Sequence, residues 1–346
     1  MASFSEYGGV APEWAALIAT QPESDFSQDL SARELRCLTN NQREEAARRY
    51  IQTIVQDDVS FQDFSCEVSD GSRIPLRVYK PKSGPVGESL PLYVWYHGGG
   101  FLFGSLASED AFCFSIVRAL KTIVVNNRSG RCRRMMHTQD SSGFSIISIR
   151  LGGDSQRIIL AGASAGALLA VGVTLRSREG VSYQNSGRQI ITDIFVNQQQ
   201  QPRIRALILD IPVLCHTANF PHELISAGRS SYYENKDAPI LPASRMKLFE
   251  DLLGKNALED PEYNLLLKVD DDLKGLPPTH FHIAGRDILR DQAFLFMQKL
   301  DRNRIPTSMN VYPGLPHGFR RYRDLKATQQ WFKDHVAAAE KLLEAV

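Results

Sequence analysis

Short apolar runs alternate with longer segments of helical periodicity along most of this chain. After a polar, helix-forming start, Ser60–Ser69 and Arg73–Lys80 read as two strands split by the turn Asp70-Gly71. Leu92–Tyr96, Thr122–Val125, Arg157–Ala161, Arg205–Ile211, Pro278–Ala284 and Thr307–Tyr312 read as further strands. Helical stretches lie between several of them, near Ser108–Leu120, Ala167–Leu175 and Arg290–Leu300. Strand and helix in alternation predict an α/β fold with a mostly parallel central sheet flanked by helices. Residues 1–57 are predicted helical, with Ser31-Ala-Arg-Glu34 as a capping box that opens a helix toward Gln56. The stretch from His216 to Leu276 has no strand pattern and several short helices. It is expected to close over the carboxyl ends of the strands.

Two glycine motifs stand at strand ends. Gly162-Ala163-Ser164-Ala165-Gly166 follows one apolar run and opens a helix, the setting that makes G-x-S-x-G a nucleophile elbow. Flanking glycines spare a sharp turn the clash of a Cβ on either side of the serine. The bland alternative is a small-residue turn, and the strand-turn-helix context weighs against it. His97-Gly98-Gly99-Gly100-Phe101 follows the run that ends at Tyr96. Successive glycines let backbone N–H groups approach a ligand oxygen unobstructed, so amides of Gly98, Gly99 and Gly100, with that of Ala165, are the expected oxyanion donors. A phosphate-binding loop is the competing reading. It lacks both G-K-[ST] and G-x-G-x-x-G with an acidic partner.

A serine nucleophile needs a base and an acid that orients it, here in the order Ser, Asp, His. Of six histidines after Ser164, His317 is expected on a Pro/Gly-rich loop between the strand Thr307–Tyr312 and the last helix, with Gly318 beside it. His280 and His282 are expected to pack or lie at the surface, and His335 to be solvated on a charged helix. His216 and His222 are candidate substrate contacts. Asp287 ends the strand that precedes His317 by thirty residues. Asp291 competes but is explained by a helix N-terminus. Asp210 is more remote. Phe101, Phe103, Phe220 and Tyr232 are candidate pocket walls, or else core.

Together HGGGF, GASAG, GRDILRD and LPHGF resemble the hormone-sensitive-lipase-like branch of the α/β-hydrolases, from about Ser60 to Phe332. The resemblance implies an α/β-hydrolase fold with a helical cap and a serine carboxylesterase whose triad is Ser164, Asp287 and His317. It implies residues 1–57 as an N-terminal cap segment and 58–346 as the catalytic domain, with a cap insertion at about 216–276. It implies a small-molecule ester substrate and no metal or cofactor. Three other readings share this scaffold: a hydrolase or product-release partner for thioester or polyketide-like substrates, a receptor-like member, and a catalytically weakened one. Ala163 stands where the family usually has Asp. Residues 126–150, with five arginines, and 179–202, with Gln198–Gln201, interrupt the family pattern abruptly. They read as a shifted frame and a retained intron, with two surface loops of no consequence as the alternative; if genuine, the first would disturb the helix beside the nucleophile helix. We expect the mature transcript to lack both stretches in their present form. Sequencing it decides the matter, and a message that encodes both unchanged overturns the reading.

Bulk properties narrow the partners. A net charge of +1 over 346 residues gives no reason to expect nucleic acid. No secretory leader or membrane-spanning run is evident, so no stable membrane insertion is expected and a cytoplasmic home is the simplest. The five scattered cysteines show neither metal spacing nor a disulfide framework. Oligomeric state is left open.

Overall fold

The computed structural model describes residues 1–20, 30–54, 57–67, 73–83, 89–127, 153–178 and 203–344. The two interrupting stretches, from residue 128 and from residue 179 onward, and the Asp70-Gly71 turn lie outside the described residues. Eight strands form one sheet: β1 (Val59–Glu67), β2 (Arg73–Pro81), β3 (Leu90–Tyr96), β4 (Ile123–Asn127), β5 (Gly153–Ala163), β6 (Ile204–Asp210), β7 (Thr279–Arg286) and β8 (Thr307–Pro316). Their order is β1-β2-β4-β3-β5-β6-β7-β8. β1 and β2 pair antiparallel, as do β2 and β4, and every other pair is parallel.

The central parallel strands carry unbroken apolar runs, Leu92–Tyr96, Ile123–Val125, Ile158–Ala161 and Ala206–Leu209, because both faces of the sheet are covered there. Alternate side chains feed opposite cores. Leu92, Val94 and Tyr96 join Ile158 and Leu160 on one face, while Tyr93 and Trp95 join Val124 and Ile159 on the other. The first core takes in α4 (Ala165–Arg178) and α6 (Arg290–Arg302). The second takes in Trp14 of α1 (Pro12–Thr20), α3 (Asp110–Leu120) and Trp331 of α7 (Lys326–Glu344). Between β6 and β7, the longest helix is α5 (Ala243–Leu253). None of the described helices is long and apolar enough to cross a membrane.

The amino-terminal helices are tied to this frame. Ser31 and Glu34 form the expected capping box at the start of α2 (Ala32–Ile54), with the Glu34 amide 3.3 Å from Ser31 Oγ and the Ser31 amide 2.9 Å from Glu34 Oε2. Glu13 accepts the amides of Lys326 and Ala327 at 3.0 and 3.1 Å, and so caps α7 from α1. Phe4 stacks on Phe294 with centroids 4.2 Å apart.

One expectation is corrected here. His335 is not solvated. α7 lays its apolar face on the sheet and carries the ring inside, fully buried, 2.5 Å from the Tyr93 hydroxyl and stacked at 5.1 Å on His282. His280 lies edge-on to His282 at 4.6 Å, also buried, with its Nδ1 2.8 Å from Ser308 Oγ. Loss of water pushes all three down from the ordinary imidazole range, His280 to about 4 and the other two well below their usual value. The unfolded chain takes up these protons near pH 6.5 while the folded chain resists them. Stability present above pH 6.5 should therefore fall as pH drops from about 6.5 toward 4, by up to about 1.4 kcal/mol per pH unit for each ring. Urea midpoints measured between pH 7.5 and 4.5 test this, and His282→Phe should flatten the slope.

Candidate active site

The sharp turn after β5 is built by exclusion. Ser164 sits at φ 54°, in the left-handed region that L-residues rarely adopt. A Cβ on Gly162 would collide with the Gly166 carbonyl, and one on Gly166 with the carbonyl of Tyr96 at the end of β3. Only hydrogen atoms fit at either position, and this lets β5 turn tightly into α4. The Ser164 amide donates to the Asp210 carbonyl at 2.8 Å, and the Asp210 carboxylate in turn holds Arg320 at 2.8 Å and the Trp331 indole at 3.2 Å.

His317 follows β8 directly. The strand runs four residues past Tyr312, so the ring projects from a strand end rather than from within a long loop. Its Nε2 lies 3.1 Å from Ser164 Oγ and its Nδ1 lies 2.7 Å from Asp287 Oδ2. Asp287, just past β7, also accepts the Leu289 amide at 2.9 Å through its other oxygen, which fixes the carboxylate plane. Asp287 is buried and His317 nearly so. Asp291 is turned elsewhere, accepting from Arg290 at 2.9 Å and from the Ser231 amide at 2.7 Å. His216 and His222 lie apart from this constellation. His216 accepts the Ala218 amide at 3.1 Å, and His222 stacks on Tyr233 at 5.0 Å.

The glycine loop after β3 faces the same point. A Cβ on Gly98 would stand 2.9 Å from the Ala163 carbonyl and 3.4 Å from Ser164 Cβ. Gly99 and Gly100 take positive φ, 141° and 58°, and their amides find no acceptor among the described residues. His97 is buried behind the loop, its Nδ1 3.2 Å from the Gly98 carbonyl. A cavity enclosing about 270 Å³ of empty space, part of it open to solvent, is lined by Gly100, Phe101, Ser164 and Ala165 on one side. Val213, Leu241, Met246, Phe249, Leu253 and Tyr263 line the other. Phe101 is the one aromatic residue expected there that lines it. Phe103 instead packs edge-on against Phe249 at 5.5 Å, and Phe220 and Tyr232 flank His222.

Comparison with known proteins points to the same fold. A profile described as alpha/beta hydrolase fold matches residues 133–321, more than half of the chain. This chain belongs to the hormone-sensitive-lipase-like α/β-hydrolases. It is 27% identical over 244 residues to versiconal hemiacetal acetate esterase of Aspergillus parasiticus, covering 70% of each protein. It is 24% identical over 263 residues to Esterase LipI of Mycobacterium tuberculosis, covering 73% of each. The crystal structure of vibralactone cyclase superposes with a TM-score of 0.80 over 98% of this chain and 96% of that one, at 21% identity, a likeness of fold. The protein is a carboxylesterase-like hydrolase.

In this hydrolase a polar clamp that local sequence patterns did not reveal holds the glycine loop from α2. Asn40 accepts the Gly104 amide at 2.7 Å, Glu44 accepts the Ser105 hydroxyl at 2.6 Å, and Arg43 reaches the Gly98 carbonyl at 3.5 Å. The only signal in the sequence was a helix whose polar residues are close together, which is also how an exposed helix reads. The apolar lining of the cavity was equally hidden, since its residues come from three separated segments. Asn40→Ala should leave the Gly104 amide without its acceptor and cost about 1–3 kcal/mol. Asn40→Asp, which keeps the acceptor, should recover most of it, and chemical denaturation of the two variants checks both.

Proposed function

We propose that this hydrolase cleaves carboxylic esters through an acyl-enzyme formed on Ser164. The observation that carries the reading is the unbroken chain of contacts Ser164 Oγ, His317, Asp287, at 3.1 and 2.7 Å, opening onto an apolar cavity. His317 Nε2 takes the hydroxyl proton as Oγ attacks the ester carbonyl, and later returns it to the leaving alcohol. Asp287 fixes the tautomer that leaves Nε2 free to accept, and stabilises the imidazolium. Negative charge on the carbonyl oxygen is met by amides of Gly98, Gly99 or Gly100 and of Ala165, the last at the start of α4 where the helix dipole adds to the field. Water then attacks the acyl-enzyme by the same route in reverse. No step calls for a metal or an organic cofactor.

The cavity suits a short acyl chain. Its walls are apolar, and Phe249, Met246 and Leu253 of α5 close it from above the strand ends, so the segment 216–276 acts as a cap over the acyl site. The word acetate in the name of the Aspergillus parasiticus esterase points the same way. The receptor-like reading is disfavoured because all three members of the triad are in hydrogen-bonding sequence. The thioester reading would use the same residues and is separated from this one by substrate alone.

Hydrolysis of p-nitrophenyl acetate should fall about 10⁴-fold or more in Ser164→Ala and comparably in His317→Ala, both with unchanged circular dichroism. A Ser164→Ala protein that retains its turnover, or a folded wild type with none, would falsify the reading.

A further inference from the structure

The chain is almost neutral as a whole, yet five guanidinium groups gather beside the site. They come from three parts of the chain: Arg43 of α2, Arg245 of α5, and Arg320, Arg321 and Arg323 just after His317. Three of them contact residues of the site or of its glycine loop. Arg43 touches the Gly98 carbonyl and lies 5.4 Å over the ring of Phe103. Arg245 donates to the carbonyl of Ile240, whose neighbour Leu241 lines the cavity. The Arg321 guanidinium carbon lies 3.9 Å from where a Cβ on Gly318 would stand, one residue from the base.

Opposing charge is nearly used up. Glu109 is the acid that acts most on Arg43 and Arg321, and it is already engaged by the Trp95 indole at 3.0 Å and by Arg320 at 3.6 Å. Asp210 is committed to Arg320 and Trp331. Arg323 lies 3.7 Å over the ring of Tyr50, a contact that orients it without neutralising it. Neither Arg43 nor Arg321 meets a carboxylate within ion-pair distance among the described residues. Arg321 is exposed, so an anion from solvent can reach it. Like charges held this close repel at a cost to folding, and an anion that binds among them relieves that cost.

We propose that the ester turned over here carries an anionic group, a carboxylate or a phosphate, that Arg321 and Arg43 hold at the cavity mouth while the ester carbonyl lies against Ser164. The planar fork of arginine matches the paired oxygens of either group. This deepens the esterase reading and rests on it.

The test uses three phenyl acetates at low ionic strength, where screening is weak. One bears a para carboxylate, one a para phosphate, and one the methyl ester of that carboxylate. Wild-type protein should show a kcat/KM about tenfold higher for at least one charged ester than for the neutral one, as a charge-assisted contact provides. Whichever anion is preferred identifies the group. Arg321→Gln should lower that ratio about tenfold, and Arg321→Lys, which keeps the charge but loses the fork, should recover part of it. A neutral ester cleaved as well as both charged ones overturns the proposal, as does a ratio that neither variant moves. If a folded wild type cleaves none of the three, the esterase reading fails by itself. Benzoate and phenyl phosphate binding by calorimetry then isolates the arginines: affinity weakened about tenfold by Arg321→Gln sustains the anion site, and the absence of binding in wild type overturns it.

Discussion

Everything at the reactive centre depends on a steric constraint at two glycines. Because Gly166 must sit against the Tyr96 carbonyl and Gly162 against Gly166, β3, β5 and α4 approach more closely than any side chain would allow. That closeness forces Ser164 into its strained backbone conformation and lifts its hydroxyl clear of the sheet. It also brings the glycine loop after β3 up beside the serine, since the same Tyr96 that abuts Gly166 ends the strand leading into that loop. Nucleophile and oxyanion donors are thus set by one contact between two strand ends.

Sheet register carries this outward. Tyr96 stands level with Gly162, Ala163 with Asp210, and Asp210 with His282. Strand ends in register present their following residues to one shallow region at the carboxyl edge, the usual place for a site in a parallel sheet. Ser164, Asp287 and His317 are far apart in the chain and meet because β5, β7 and β8 stop there. Once the sheet is paired, the remaining adjustment is small: Asp287 needs the Leu289 amide to set its plane, and His317 needs only to follow Pro316.

Much of this was legible in the sequence because it is local. Gly162, Ser164 and Gly166 lie within five residues, and the strand and helix around them have clear periodicity. The succession of eight strands along the chain and the candidacy of Asp287 and His317 follow from alternation and from residues near strand ends, whereas the lateral order of the strands does not. What escaped is relational. His335 reads as a charged-helix residue until α7 is laid on the sheet and the ring faces Tyr93 and His282. Asn40 and Arg43 look like ordinary polar helix positions, because their partners lie about sixty residues away. The wall opposite the serine comes from Val213, from Leu241 and α5, and from Tyr263, which no short window of sequence contains together. Phe103 and Phe220 take the core alternative that their sequence positions left open.

Arg320 joins these parts from behind. Its guanidinium is enclosed by the rings of Trp95, Phe112 and Trp331, at 5.2, 5.7 and 5.2 Å, and bridges Asp210 to Glu109. Asp210 bears the carbonyl that receives the Ser164 amide, and Arg320 stands three residues after His317. Nucleophile and base are therefore tied to a common, largely enclosed cation, which links the two strand ends. The distance between Oγ and Nε2 is then a property of the sheet's interior, preorganised before any substrate arrives, so binding energy remains for the substrate's own orientation.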